Sequence, residues 1–123
     1  MDIKDISFYK YGEDLPEKCR PLYFTNSYFR LCVAEPNILY VCTSVCTVRM
    51  ENAFSRDAPT IIPVSDFDTS TLECYFKVHN IKVYISSMMA WLQVGNVYIY
   101  FPSVTPDFLE NLVDAVRAFV ENK

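Results

Sequence analysis

Between residues 21 and 101 apolar and polar positions alternate at a period of two, the signature of strands with one buried face. In PLYFTNSYFRLCVA, Phe29, Leu31 and Val33 share a side. Glu35, Pro36 and Asn37 follow as turn formers, and Ile38 to Met50 resumes as a long strand, so these two runs predict a hairpin. The stretch from Glu51 to Thr60 collects turn formers and predicts the longest loop; Thr60 to Val64 predicts a short strand broken by Pro63, and Ser65 to Thr71 another turn.

The pattern is clearest downstream. Leu72 to Val78 and Ile81 to Ser87 flank the two-residue turn His79-Asn80. Leu72, Cys74, Phe76 and Val78 then face the core with Ile81, Val83 and Ile85, while Glu73, Tyr75 and Lys77 face outward with Lys82, Tyr84 and Ser86. Gly95-Asn96 forms a second turn of type II′ between Leu92-Val94 and Val97-Phe101, which makes a meander. Inward positions are odd at 81–85 and even at 92–94, so a bulge or bend is expected between Ser87 and Ala90.

The period then changes to that of a helix. Thr105 is placed to cap, Pro106 fits the first helical position and Asp107 complements the positive end of the dipole. Phe108, Leu109, Leu112, Val113, Val116, Phe119 and Val120 form the apolar stripe, and Glu110, Asn111, Asp114, Arg117 and Glu121 the wet side. The reading is an N-terminal arm over 1–20, with a short strand from Ile6 to Tyr11, and a single β-rich domain over 21–123 capped by a helix at 105–122. The helical pattern is still running at Glu121-Asn122-Lys123, which predicts that the chain continues in a longer protein.

Composition narrows the function. The chain has 123 residues, 51% hydrophobic and 15% aromatic, enough for one domain with its own core. A net charge of −4 argues against a broad phosphate-neutralising surface. No apolar run approaches the roughly 18 residues of a membrane span, and MDIKDISFYK lacks a secretory pattern. An intracellular protein, cytoplasmic or nuclear, is expected, with no membrane partner.

Catalytic and metal-binding chemistry is poorly supplied. Five cysteines, Cys19, Cys32, Cys42, Cys46 and Cys74, are an odd number without an export signal, so reduced thiols are expected. Cys42 and Cys46, four positions apart on one strand, would stand about 13 Å apart, too far for one zinc. The single histidine, His79, sits in a turn without a nucleophile. Asp66 and Asp68 form a D-x-D that reads as turn capping, and two glycines leave no material for a phosphate loop. No enzyme, no cofactor and no metal is expected. Thr105-Pro106 also matches a minimal proline-directed phosphorylation site, but capping explains it more economically.

Binding chemistry is better supplied, on the outer face of the meander. Lys77 is expected opposite Lys82, Tyr75 opposite Tyr84, Trp91 opposite Tyr100 and Gln93 opposite Tyr98. If that face is open, Trp91, Tyr98, Tyr100, Tyr75 and Tyr84 with Lys77 and Lys82 form a surface for a protein partner, a peptide or a helix. If it is covered, Trp91 and Tyr100 form a second small core under the arm or the helix.

About seven antiparallel strands in a bent sheet or partly open barrel, closed by one C-terminal amphipathic helix, resemble the pleckstrin-homology superfold over nearly the whole chain. The first hairpin loop, Ala34 to Ile38, carries an acid and no base, a departure from phosphoinositide-binding members. FYKYG, from Phe8 to Gly12, is similar to the amino-terminal domain of accessory proteins of the meiotic DNA-break machinery. That resemblance implies a scaffold in a nuclear complex. An OB-like barrel is the alternative fold, since LQVGNVYIY resembles its fourth strand. With it goes the alternative function of binding single-stranded nucleic acid, disfavoured because Lys77, Lys82, Tyr75 and Tyr84 are the only basic-aromatic patch the pattern assembles. The leading expectation is a non-enzymatic protein-interaction module.

Overall fold

The computed structural model describes residues 6–10, 20–25, 29–34, 38–51, 59–64, 68 and 70–121. In chain order these form β1 (Ile6–Lys10), β2 (Arg20–Thr25), β3 (Phe29–Ala34), β4 (Ile38–Cys42), β5 (Cys46–Glu51), β6 (Thr60–Pro63), β7 (Glu73–Val78), β8 (Ile81–Ser86), β9 (Met89–Val94), β10 (Val97–Phe101) and α1 (Pro106–Glu121). The class is the β-rich antiparallel one read from the sequence, with one C-terminal helix. Among the described residues the strands number ten rather than about seven, and they divide into two five-stranded sheets, not the single small barrel of an OB fold. The strand order is β1-β5-β4-β3-β2 in the first sheet and β6-β10-β9-β8-β7 in the second. The Glu35-Pro36-Asn37 turn, most of the 51–60 loop, Cys19 and the Tyr11-Gly12 end of FYKYG lie outside the described residues.

Two turns and one bulge differ from the sequence reading, each for a local reason. The long strand from Ile38 to Met50 is a hairpin, bent at Thr43–Val45 with Val41 opposite Val48. This turn has no glycine, proline, asparagine or aspartate to announce it. Its stabilising group is the buried hydroxyl of Thr43, which accepts from the N–H groups of Val45 and Cys46 at 3.1 Å and donates to the Cys46 carbonyl at 2.7 Å. The Thr43 N–H also donates to that carbonyl at 3.0 Å. A side chain thus replaces the turn residue that the backbone would otherwise need.

The second difference is at Ser87-Met88, where a tight turn replaces the expected bulge or bend. Ser86 pairs with Met89 and Ile85 with Ala90, so a two-residue loop turns odd inward positions into even ones without any irregularity. His79, Ser87 and Gly95, the first residue of each successive turn, all have positive φ, at 52°, 56° and 55°. The third difference is a register shift between Cys74 and Phe76, which places Cys74 opposite Tyr84 and leaves Tyr75 at a bulge. Phe76 and Val78 keep the core side, while Leu72 moves to the outer cluster and Cys74 is exposed.

One core lies between the sheets. Leu39, Val41, Val48 and Met50 from the first meet Val83, Leu92, Ile99 and Phe101 from the second, and Phe108, Leu112 and Val116 of α1 complete the cluster. The helix begins as its sequence dictates, with the Phe108 N–H donating to Thr105 Oγ1 at 3.1 Å. The Val104 N–H donates to the Met88 carbonyl at 2.7 Å and ties the start of the helix to the β8–β9 turn. From there α1 runs against the edge strands β1 and β7 of the two sheets. Phe119 stacks on Phe8 with centroids 5.7 Å apart, and the Arg117 guanidinium lies 5.0 Å from the Phe76 ring centroid. Phe119 is only half-buried, so the fully buried Leu112 is the better test of the helix contact. Leu112→Ala is expected to cost about 2–5 kcal/mol in chemical denaturation, and Phe119→Ala less.

The sheets are joined at a close approach of two turns. A β-carbon on Gly95 would lie 2.6 Å from Ser44 Oγ and 2.8 Å from Val45 Cγ2, and the φ of +55° already disfavours a side chain there. The Ser44 N–H donates to Asn96 Oδ1 at 3.1 Å across the same contact. Gly95→Ala should therefore cost about 1–2 kcal/mol from backbone conformation alone and more from the clash. Thr43→Val, which strands two N–H donors behind it, should cost about 1–3 kcal/mol. Thr43→Ser should recover most of that loss, and urea titration of the three variants measures all of it.

Candidate functional site

Strand register places the predicted side chains on the outer face of the second sheet in two rows. One runs Cys74–Tyr84–Trp91–Tyr100–Thr60 and the other Lys77–Lys82–Gln93–Tyr98–Ile62. The expected pairs Lys77–Lys82, Trp91–Tyr100 and Gln93–Tyr98 are present; Tyr75–Tyr84 is not, because the bulge substitutes Cys74.

Most of the aromatic side chains on this face are covered. Trp91 and Tyr84 are 8% exposed and Tyr98 4%, in a second cluster packed by Ile62, Val64, Leu72, Met89 and Tyr100. The Trp91 and Tyr100 rings lie 4.9 Å apart, and Tyr84 meets Tyr98 edge-on at 6.5 Å. Tyr84 donates its hydroxyl hydrogen to Gln93 Oε1 at 3.3 Å, and Tyr100 to Met89 Sδ at 3.0 Å. This is the covered alternative, a second small core, but its covering residues come from β6 and the approach to β7 rather than from the helix. Buried rings with satisfied hydroxyls stabilise the sheet and present little surface to a partner.

The polar row leads to a different place. Lys77, Lys82 and Gln93 line a cleft of ≈ 330 Å³ with the turn residues His79, Asn80 and Gly95 and, from the other sheet, Val45. Directly opposed β-carbons stand about 4.5–5.5 Å apart, so the Lys77 and Lys82 stems rise side by side. The cationic side chains described are Arg49, Lys77, Lys82 and Arg117. Arg49 binds Glu51 at 2.6 Å, a hydrogen bond that raises the guanidinium pKa above its ordinary value. Arg117 lies over the Phe76 ring. The two lysines face each other, and neither forms an ion pair among the described residues. Among the described residues no carboxylate lines the cleft. With Oε1 of Gln93 occupied by Tyr84, that side chain has its amide N–H donors left to offer.

The chain matches no known family model, curated protein or solved structure.

Tyr75, at the bulge of edge strand β7 two residues before Lys77, is 50% exposed. Of the expected surface residues, then, Tyr75, Lys77 and Lys82 reach solvent, while Trp91, Tyr84 and Tyr98 do not. His79, Asn80 and Gln93 were not singled out from the sequence as members of one site. Register extended through three strands links Gln93 to the lysines, but Val45 belongs to the other sheet and no local signal points to it.

The remaining candidates are separated by the fold. Cys46 is in the main core, whereas Cys42 pairs with Thr47 on the opposite face of the first sheet, so the hairpin keeps the two thiols apart by facing rather than by length along one strand. Among the described residues no three His, Cys, Asp or Glu side chains gather as metal ligands, and no helix is long and apolar enough to cross a membrane. Asp68 caps a turn, its Oδ1 accepting from the Ser70 N–H at 2.9 Å, and that bond lowers its pKa. Asp66 lies outside the described residues. Truncation separates structural from surface aromatics: Trp91→Ala is expected to cost about 3–5 kcal/mol and Tyr75→Ala to stay within about 0.5 kcal/mol of the parent, by thermal and urea unfolding.

Proposed function

We propose that this protein is a non-enzymatic protein-interaction module that docks its partner on the outer face of the β7–β8 hairpin. The observation that carries this reading is the exposed Tyr75 two residues before Lys77 on β7, with Lys77 opposite Lys82 and no carboxylate lining their cleft among the described residues. Opposed lysines cost stability in the free domain, and a half-exposed tyrosine offers a large rigid surface at little entropic cost. An acidic partner relieves the first and buries the second. The buried Trp91 cluster packs beside this surface on the same face of the sheet. The resemblance to interaction scaffolds of a nuclear complex is consistent with such a role.

Affinity capture from native extract supplies the partner, and binding is then measured by calorimetry against the purified domain. Tyr75→Ala should keep its Tm within a few degrees and lose about 2 kcal/mol of affinity. Lys77→Glu and Lys82→Glu should fold at least as well as the parent, bind more weakly and lose most of the salt dependence. If all three bind like the parent, this face is not the docking surface. Salt-sensitive binding of short single-stranded nucleic acid, abolished by Tyr75→Ala, would instead favour the nucleic-acid alternative.

A further inference from the structure

We infer that the cleft between the β7–β8 and β9–β10 turns is a phosphate subsite that receives a phosphorylated side chain of a protein partner. The inference rests on the interaction reading above and adds the chemistry of what is recognised. Four side chains with hydrogen-bond donors, Lys77, Lys82, Asn80 and Gln93, line the cleft together with the imidazole of His79, and among the described residues no acid does. Such a set is complementary to an anion and to little else.

Charge and shape favour phosphate over carboxylate. Two ammonium groups raised on opposed stems are matched by a dianion, whereas a single carboxylate leaves one cation uncompensated. A phosphoryl group presents three acceptor oxygens, enough to take both lysines and an amide donor at once, and lysine serves it as a point charge without the planar fork that arginine offers a carboxylate. The Gln93 donors are aimed by the bond between its Oε1 and the Tyr84 hydroxyl, so the buried aromatic cluster orients part of the subsite. A cleft of ≈ 330 Å³ exceeds a bare phosphate and leaves room for the side chain carrying it, with Val45 and Gly95 as its neutral wall. Gly95 also approaches Ser44 and Val45 so closely that this wall of the cleft has no room for a side chain.

The test is an amide chemical-shift titration of the whole protein with inorganic phosphate and with a short alanine peptide carrying one central phosphoserine, glutamate or serine. The phosphoserine peptide should saturate shifts at Lys77, His79, Asn80, Lys82 and Gln93, at least about tenfold tighter than the glutamate peptide. Inorganic phosphate should reach the same amides more weakly, and the serine peptide should not. Lys77→Gln with Lys82→Gln should abolish saturation while Tm stays at or above the parent value, since the repulsion is gone. Equal affinity for glutamate and phosphoserine, shifts spread equally to Arg49 and Arg117, or no saturable shift would each overturn the phosphate subsite. None of these results decides the docking surface itself, which is judged separately by Tyr75→Ala.

Discussion

The contact between Gly95 and the Thr43–Val45 turn sets the relation of the two sheets. Each sheet is built the same way, as a four-stranded meander with the preceding strand laid against its last member: β1 against β5, and β6 against β10. The β4–β5 and β9–β10 turns therefore hold corresponding places in the two halves, and they are the two turns that meet. A missing β-carbon at Gly95 permits the approach, and the Ser44–Asn96 bond directs it. Where a glycine packs against side chains this closely, the backbones are fixed relative to one another more tightly than by apolar side chains alone.

The helix answers the same constraint from another side. Joining the sheets at these turns leaves the edges β1 and β7 to be spanned, and α1 does so with Phe119 on Phe8 and Arg117 on Phe76. Its remaining apolar stripe fills the space between the sheets. A helix whose sequence is amphipathic but whose polar face is broad, with Glu110, Asn111, Asp114, Arg117 and Glu121 all exposed, suits a lid over an open side better than a fully enclosed strut.

Much of this was legible in the residues and some was not, for reasons that lie in how turns are encoded. Gly95-Asn96 and His79-Asn80 stand out because positive φ favours Gly and the residues that tolerate it. Ser87-Met88 and Thr43–Val45 carry no such mark. The first is forced by pairing on both sides, and the second is made by a hydroxyl three bonds deep in its own hydrogen-bond network. The bulge at Tyr75 is equally silent, since alternation of Leu72, Cys74 and Phe76 looks unbroken until Tyr84 selects Cys74 as its partner. Parity correctly put Trp91 and Tyr98 on the outer face. It could not reveal that Ile62, Val64 and Leu72, remote in sequence, bury them there.

The same limit explains the site. Lys77 and Lys82 are opposed by hairpin register alone, so the pair follows from the sequence; the cleft they line does not, because its wall is the meeting of the two halves. Two unit charges about 4 Å apart repel by roughly 1 kcal/mol in water and by more beside a protein surface. A net charge of −4 supplies many carboxylates, yet on the first sheet Glu51 answers Arg49 while none faces the lysine pair among the described residues. Repulsion left standing at the lysine pair leaves both ammonium groups open to the external anion proposed for this cleft. The Gly95 contact and the lysine pair thus border one cleft, and a ligand bound against a wall set by so close a contact would spend less of its binding energy on ordering the protein.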